Sequence, residues 1–217
     1  MAVSRELANL FKDHPAVDHL FTDWHRAGGF DCYCPLSSLP LALGIGAGDL
    51  PGEMPYMQAD PRRASRWDRR FGQAKGPRIG LCWAGRPTHP NDANRSLPFK
   101  TLIRHLPPEA QLVSLQVGGR GDDITAAPIR DISDRLHDFA ETAAVIATLD
   151  LVVSVDTSVV HLAGAMGKPV HVMLPFVADW RWGRTGERTP WYPTARLFRQ
   201  PAPGDWDAAL AGAFATD

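Results

Sequence analysis

From Arg78 onward, short apolar runs alternate with segments whose apolar residues recur every three or four positions. RIGLCWAG (78–85), closed by glycine, and QLVSLQVGG (111–119), stopped by a glycine pair, read as buried strands. IRDIS (129–133) is a weaker strand, LDLVVSVDT (149–157) the strongest, and PVHVMLP (169–175) and ARLFRQ (195–200) complete a set of six. Helical spacing fills the intervals. SLPFKTLIRHL (96–106) places Pro98 where a first helical turn accepts it, and GDDITAA (121–127) is a short helical piece. AETAAVIATLD (140–150) and SVVHLAGAMG (158–167) follow, the latter closed by Gly167 with Pro169 beyond, and DWDAALAGAFAT (205–216) ends the series. Strand and helix in alternation predict right-handed crossovers and a mainly parallel sheet covered on both faces. The expected fold over 76–217 is therefore α/β, one complete doubly wound Rossmann-like domain, with ligands held at the C-terminal ends of its strands.

The first 75 residues follow another pattern. SRELANLFKDH (4–14) is helical, VDHLFTDW (17–24) and FDCYCPL (30–36) read as strands, SSLPLALG (37–44) as a short helix, and GIGAGDLPGEMP (44–55) as loop. This amounts to a truncated N-terminal α/β lobe, too small for a full core of its own. DPRRASRWDRRFGQAKGP (60–77) reads as a solvated basic linker helix. The whole chain carries a formal net charge of only -1, and no aromatic stacking platform accompanies these arginines, so a nucleic-acid partner is not expected.

With 44% hydrophobic and 22% charged residues, the composition is that of an ordinary globular chain able to bury a core without staples. Three cysteines, Cys32, Cys34 and Cys82, are too few and odd in number for a disulfide framework and fit a reducing compartment. Cys32 and Cys34 are expected to be buried strand thiols, since no second Cys/His pair with zinc spacing accompanies them. No signal-peptide core and no apolar run of about 20 residues is present, so a cytoplasmic protein without a membrane span is expected.

Chemistry concentrates at the ends of the strands. In SVDTSVVH (154–161) the strongest strand runs into a helix that Thr157 or Ser158 can cap. The free N–H groups and positive dipole end of such a helix attract phosphate. His161 lies one turn further on and reaches the same anion, whereas Asp156 is suited to accept hydrogen bonds from sugar hydroxyls. WAGRPTHPNDANRSLP (83–98) overhangs the same edge and carries Gly85, Arg86, Thr88, His89, Arg95 and Ser96. A guanidinium at Arg95 can hold a diphosphate bidentately. The aromatics of LPFVADWRWGRTGERTPWYPT (174–194), Trp180, Trp182, Trp191 and Tyr192, are expected mainly to pack the loop onto the domain, with Asp179 and Arg181 kept as site candidates. Walker, G-x-G-x-x-G, G-x-S-x-G and H-E-x-x-H patterns are absent.

The string SVDTSVVHLAGAMGKPVHVMLP resembles the sugar-nucleotide motif of glycosyltransferase family nine, the heptosyltransferase-type enzymes. The wider run, with RIGLCWAGRPTHPNDANRSLPF, DFAETAAVIATLDLVVSVDTSVVHLAGAMGKP, LPFVADWRWG and PWYPTARLFRQP, is similar to the C-terminal domain of bacterial tetratricopeptide-repeat proteins that end in such a glycosyltransferase. The resemblance implies a GT-B-like fold and a nucleoside-diphosphate sugar as donor, with no cofactor and no metal. It implies that Asp156, Thr157, Ser158 and His161 meet the sugar and diphosphate, with Gly85 in the same donor site. Arg95 would neutralise the diphosphate, and Gln116, Asp138 and Phe139 would line the nucleoside. Arg86, His89 and Arg181 are further candidates. Ser158 stands where the family carries glycine, and the opening strand and glycine-rich acceptor loop of the N-terminal lobe have no counterpart. The catalytic residue is therefore not assigned. Either a partner or a homo-oligomer completes the acceptor side, the acceptor being a glycan, lipid or protein, or the chain is a non-catalytic sugar-nucleotide-binding or interaction domain.

Overall fold

A computed structural model describes residues 1–50, 52–118, 124 and 127–214. Its centre is a parallel sheet of six strands, β1 (Arg78–Cys82), β2 (Gln111–Ser114), β3 (Ile129–Arg130), β4 (Leu151–Val155), β5 (Val170–Leu174) and β6 (Ala195–Arg199), in the order β3-β2-β1-β4-β5-β6. That is the doubly wound order, and the winding reverses between β1 and β4, where Cys82 lies in register with Ser154. Residues of β1, β4 and β5 are buried throughout, because helices cover both faces and leave no polar side. Alternate residues feed two cores. Val152, Val170, Val172 and Leu174 meet α3 (Pro61–Phe71), α6 (Phe139–Ala147) and α7 (Ser158–Ala165). Ile79, Leu81, Leu151, Val153, Val155 and Met173 meet α5 (Phe99–Leu102) and α8 (Trp206–Leu210).

The helices are shorter than their apolar spacing suggests. α5 begins after Pro98 and tightens into a 3-10 turn at Ile103–His105. α8 stops at Leu210, and the loop after β1 contains one unforeseen turn, α4 (Asp92–Arg95). The short helical piece expected over 121–127 lies largely outside the described residues.

Before β1 the chain forms α1 (Arg5–Phe11), a short helix α2 (Leu39–Ala42) and α3. The strands expected at 17–24 and 30–36 are not formed among the described residues; a lone parallel bridge joins Ala2 to Phe21. The reason is the want of a buried face, since no described residue before Met57 is buried. Alternation without an apolar surface to pack on does not hold a strand. For the same reason Cys32 and Cys34 are exposed rather than buried strand thiols, whereas Cys82 is buried as expected.

α3 departs from the solvated linker helix expected there. Trp67 and Phe71 enter the core, and Glu141 of α6 accepts hydrogen bonds from Arg63 at 2.8 Å, Arg66 at 3.0 Å and Trp67 Nε1 at 2.8 Å. The arginines that look like a basic surface in sequence thus pin one helix to another. No described helix is long and apolar enough to cross a membrane.

Candidate functional site

At the winding reversal the C-terminal end of β4 turns outward. Thr157 takes an extended conformation at the N-cap position of α7 but makes no side-chain cap, against the expected Thr157 or Ser158 cap. Its hydroxyl turns inward instead, 3.2 Å from Ser154 Oγ and 3.6 Å from Cys82 Sγ, closing the crevice between β4 and β1. The first N–H groups of α7 therefore face the space above the sheet without a side-chain acceptor, and Ser158 is exposed beside them.

The loop after β1 supplies the opposite wall. Arg95, on the last position of α4, donates from Nη1 to the Asp156 carbonyl at 2.8 Å, which ties the loop to the strand end. Its Nε is buried without a hydrogen-bond partner and lies 3.9 Å from Asp92 Oδ1. Gly85 makes room for this arginine: a methyl group there would stand 2.2 Å from Nη2. Ser96 holds the arrangement, accepting from the Gly85 N–H at 3.0 Å and donating to Asp92 Oδ1 at 2.8 Å.

His161 faces the same space from the first turn of α7. Its Nδ1 lies 2.9 Å from the Tyr192 hydroxyl, and its Nε2 lies 3.8 Å from Asp156 Oδ1. Its ring stacks on Trp182 at 5.5 Å between centroids and 13° between planes. Burial pushes the imidazole below its ordinary value, Arg181 reinforces this, and Asp156 and Asp179 oppose it. Burial likewise pushes the Tyr192 phenol well above its ordinary value, so its proton stays on. Asp179 accepts from the Arg181 backbone N–H and pairs with the Arg181 guanidinium at 3.1 Å, placing that side chain on the outer rim.

These groups enclose a cleft of about 420 Å³ lined by His89, Asn91, Arg95, Asp156, Thr157, Ser158, His161, Asp179 and Arg181. Gly85 underlies it through Arg95. Arg86 is exposed and does not line it. Nor do Gln116, Asp138 and Phe139. Gln116 is a buried clamp at the ends of β1 and β2, accepting from Ala84 N–H at 2.9 Å and donating to the carbonyls of Ala84 and Val117. Asp138 caps α6, accepting from Glu141 N–H at 2.8 Å, and also accepts from Asn9 Nδ2 at 2.7 Å. Phe139 packs on the core beneath. Among the described residues no group of three or more His, Cys, Asp or Glu side chains is arranged to hold a metal.

Trp180 is exposed, against the packing role expected of the 174–194 aromatics, but Trp182 and Tyr192 perform that role, both being buried in the core. They also orient His161, a role sequence reasoning missed because thirty-one residues separate Tyr192 from it. Asn91 was missed as well, although it stands in the loop already singled out.

The cleft combines a helix N-terminus, a half-buried guanidinium, a carboxylate and a neutral imidazole, a set suited to an anion that carries hydroxyl groups. The chain is 27% identical over 213 residues to Protein FlbA of Caulobacter vibrioides, an alignment spanning 93% of this chain and 34% of that protein, so the chain covers about a third of the relative's length. It is similar, at 19% identity and a TM-score of 0.48, to the structure of E. coli ADP-heptose lps heptosyltransferase II, over 76% of this chain and 54% of that one. Residues 134–173, which carry α6, β4, α7 and most of β5, match the family model described as Glycosyltransferase family 9 (heptosyltransferase), the family that SVDTSVVHLAGAMGKPVHVMLP resembles.

Proposed function

We propose that the cleft between α7 and the loop ending at Arg95 binds a nucleoside-diphosphate sugar, and that the chain acts as a glycosyltransferase on an acceptor yet to be named. The observation that carries this reading is the pairing of Arg95 with the uncapped N-terminus of α7 across a cleft that also presents Asp156. The two positive elements converge on one anion, and Asp156 and His161 remain for hydroxyls and phosphate oxygens. In transfer, the glycosyl–phosphate bond breaks and charge builds on the departing diphosphate. Preorganised donors aimed at that charge lower the barrier without reorganising. Exposed Cys32 and Cys34 fit a reducing, cytoplasmic setting.

Calorimetry with UDP, GDP and ADP tests binding, and nucleotide release from the matching sugar donors tests transfer. Replacing Asp156→Ala together with His161→Ala is expected to weaken nucleotide binding at least about tenfold, ~1.4 kcal/mol. Unchanged affinity would place the site elsewhere. A second reading, binding without transfer, is favoured by one observation: no described residue before Met57 is buried, so the acceptor side has no core of its own. Nucleotide binding with no release from any donor would select it.

A further inference from the structure

His161 has two nitrogens in two different surroundings, and the pair decides what it can offer a ligand. Nδ1 meets the Tyr192 hydroxyl at 2.9 Å, while Nε2 points toward the Asp156 carboxylate at 3.8 Å and the cleft. Both rings are packed. Trp182 lies flat against the imidazole, and the Tyr192 ring rests on Gly164 of α7 so closely that a methyl group there would stand 2.4 Å from its Cγ. The charged groups facing the imidazole are Asp156 and Asp179, which favour its cation, and Arg181, which disfavours it.

We infer that Tyr192 is a positioning residue whose O–H donates to Nδ1, so that His161 is held as the neutral tautomer with its proton on Nε2 and enters the cleft as a hydrogen-bond donor. The hydrogen bond at one imidazole nitrogen sets which nitrogen carries the proton. A phenol can donate or accept, and the neighbouring Tyr56 hydroxyl can take either part with Tyr192, so the far side of the imidazole decides. With the proton on Nδ1, a bare Nε2 lone pair would face the Asp156 carboxylate. With the proton on Nε2, an N–H dipole faces it instead. Burial keeps the ring neutral, which leaves one proton to place. The consequence rests on the donor-site reading above: His161 binds a phosphate or hydroxyl oxygen as a donor and is closed as a general base from the cleft side, so any base for acceptor activation lies on another residue.

The test is nitrogen NMR of the ligand-free protein labelled at its eight histidines, with His161 assigned by its disappearance in His161→Gln. A bare Nδ1 and a protonated Nε2 are expected. In Tyr192→Phe, loss of one hydrogen bond should shift the tautomer ratio toward Nδ1–H about fivefold. Gly164→Ala, which displaces the ring while keeping the hydroxyl, should shift it in the same direction. A protonated Nδ1 in the unaltered protein, or a ratio unmoved by both substitutions in folded protein, overturns the assignment. Because no nucleotide is present, failure to bind UDP, GDP or ADP would sink the donor-site reading and leave this result standing.

Discussion

Gly164→Ala offers a demanding check on the packing beneath the site, because two physical effects oppose each other there. In an ordinary helix interior the change stabilises by about 1 kcal/mol. Here the new Cβ would stand 2.4, 2.5 and 2.8 Å from ring carbons of Tyr192, against an ordinary carbon contact of about 3.5–4.0 Å. The ring must retreat by about 1 Å in a core with no room for it. Overpacking of this kind costs ~1–3 kcal/mol, and loss of the 2.9 Å contact to His161 adds about 1 kcal/mol. The expected net result is a destabilisation of roughly 1–3 kcal/mol, read as a lower urea midpoint at unchanged slope. In a Tyr192→Ala background the obstacle is gone, and the same substitution should be neutral or stabilising. The coupling between the two changes should then be at least about 1 kcal/mol. A Gly164→Ala protein as stable as the parent or more so, or additive effects in the double variant, would refute the placement of Tyr192 on α7.

Two further outcomes follow from the outlying parts of the fold. Burial alone would raise the Asp138 carboxyl, but hydrogen bonds from Asn9 and Glu141 and the charge of Arg63 outweigh it and hold it below its ordinary value. The stability this contributes is fully present above the unfolded carboxylate value of about 3.9 and is lost as pH falls through the lower folded value. Thermal melts from neutral to acid pH should therefore show Asp138→Asn below the parent at pH 7 and converging with it in acid; a constant gap would contradict the linkage. Thiol labelling of the native protein should modify exposed Cys32 and Cys34 quickly, while Cys82, buried and with its thiol pushed up by that burial, should react only on unfolding. Protection of Cys32 and Cys34 would mean that the N-terminal segment is covered.

The parallel sheet was legible because its signal is local. LVVSV and VHVML are apolar on both alternating sets of positions, and only a strand covered on both faces buries such a run. The cleft's position was legible for the same reason, since a doubly wound sheet puts its ligand edge at the strand ends, and Arg95, Asp156, Ser158 and His161 all stand there. What misled was alternation without context. FDCYCPL alternates well enough for a strand and VDHLFTDW is rich in apolar residues, yet neither has a buried face to pack. The arginines of α3 had no visible partner because Glu141 lies seventy-five or more residues away in the chain.

By itself, then, the sequence determined which segments after Arg78 become strands and which polar residues crowd the edge of the sheet, because both follow from neighbours a few positions apart. Tertiary structure alone decided how those polar groups are used. Thr157 abandons its helix cap for Ser154 and Cys82, Gln116 clamps Ala84 just beyond β1, and His161 takes its partner from Tyr192. The physical reason is shared: a hydrogen bond is settled by what lies within about 3 Å, and at the winding reversal those neighbours come from strands and loops far apart in the chain.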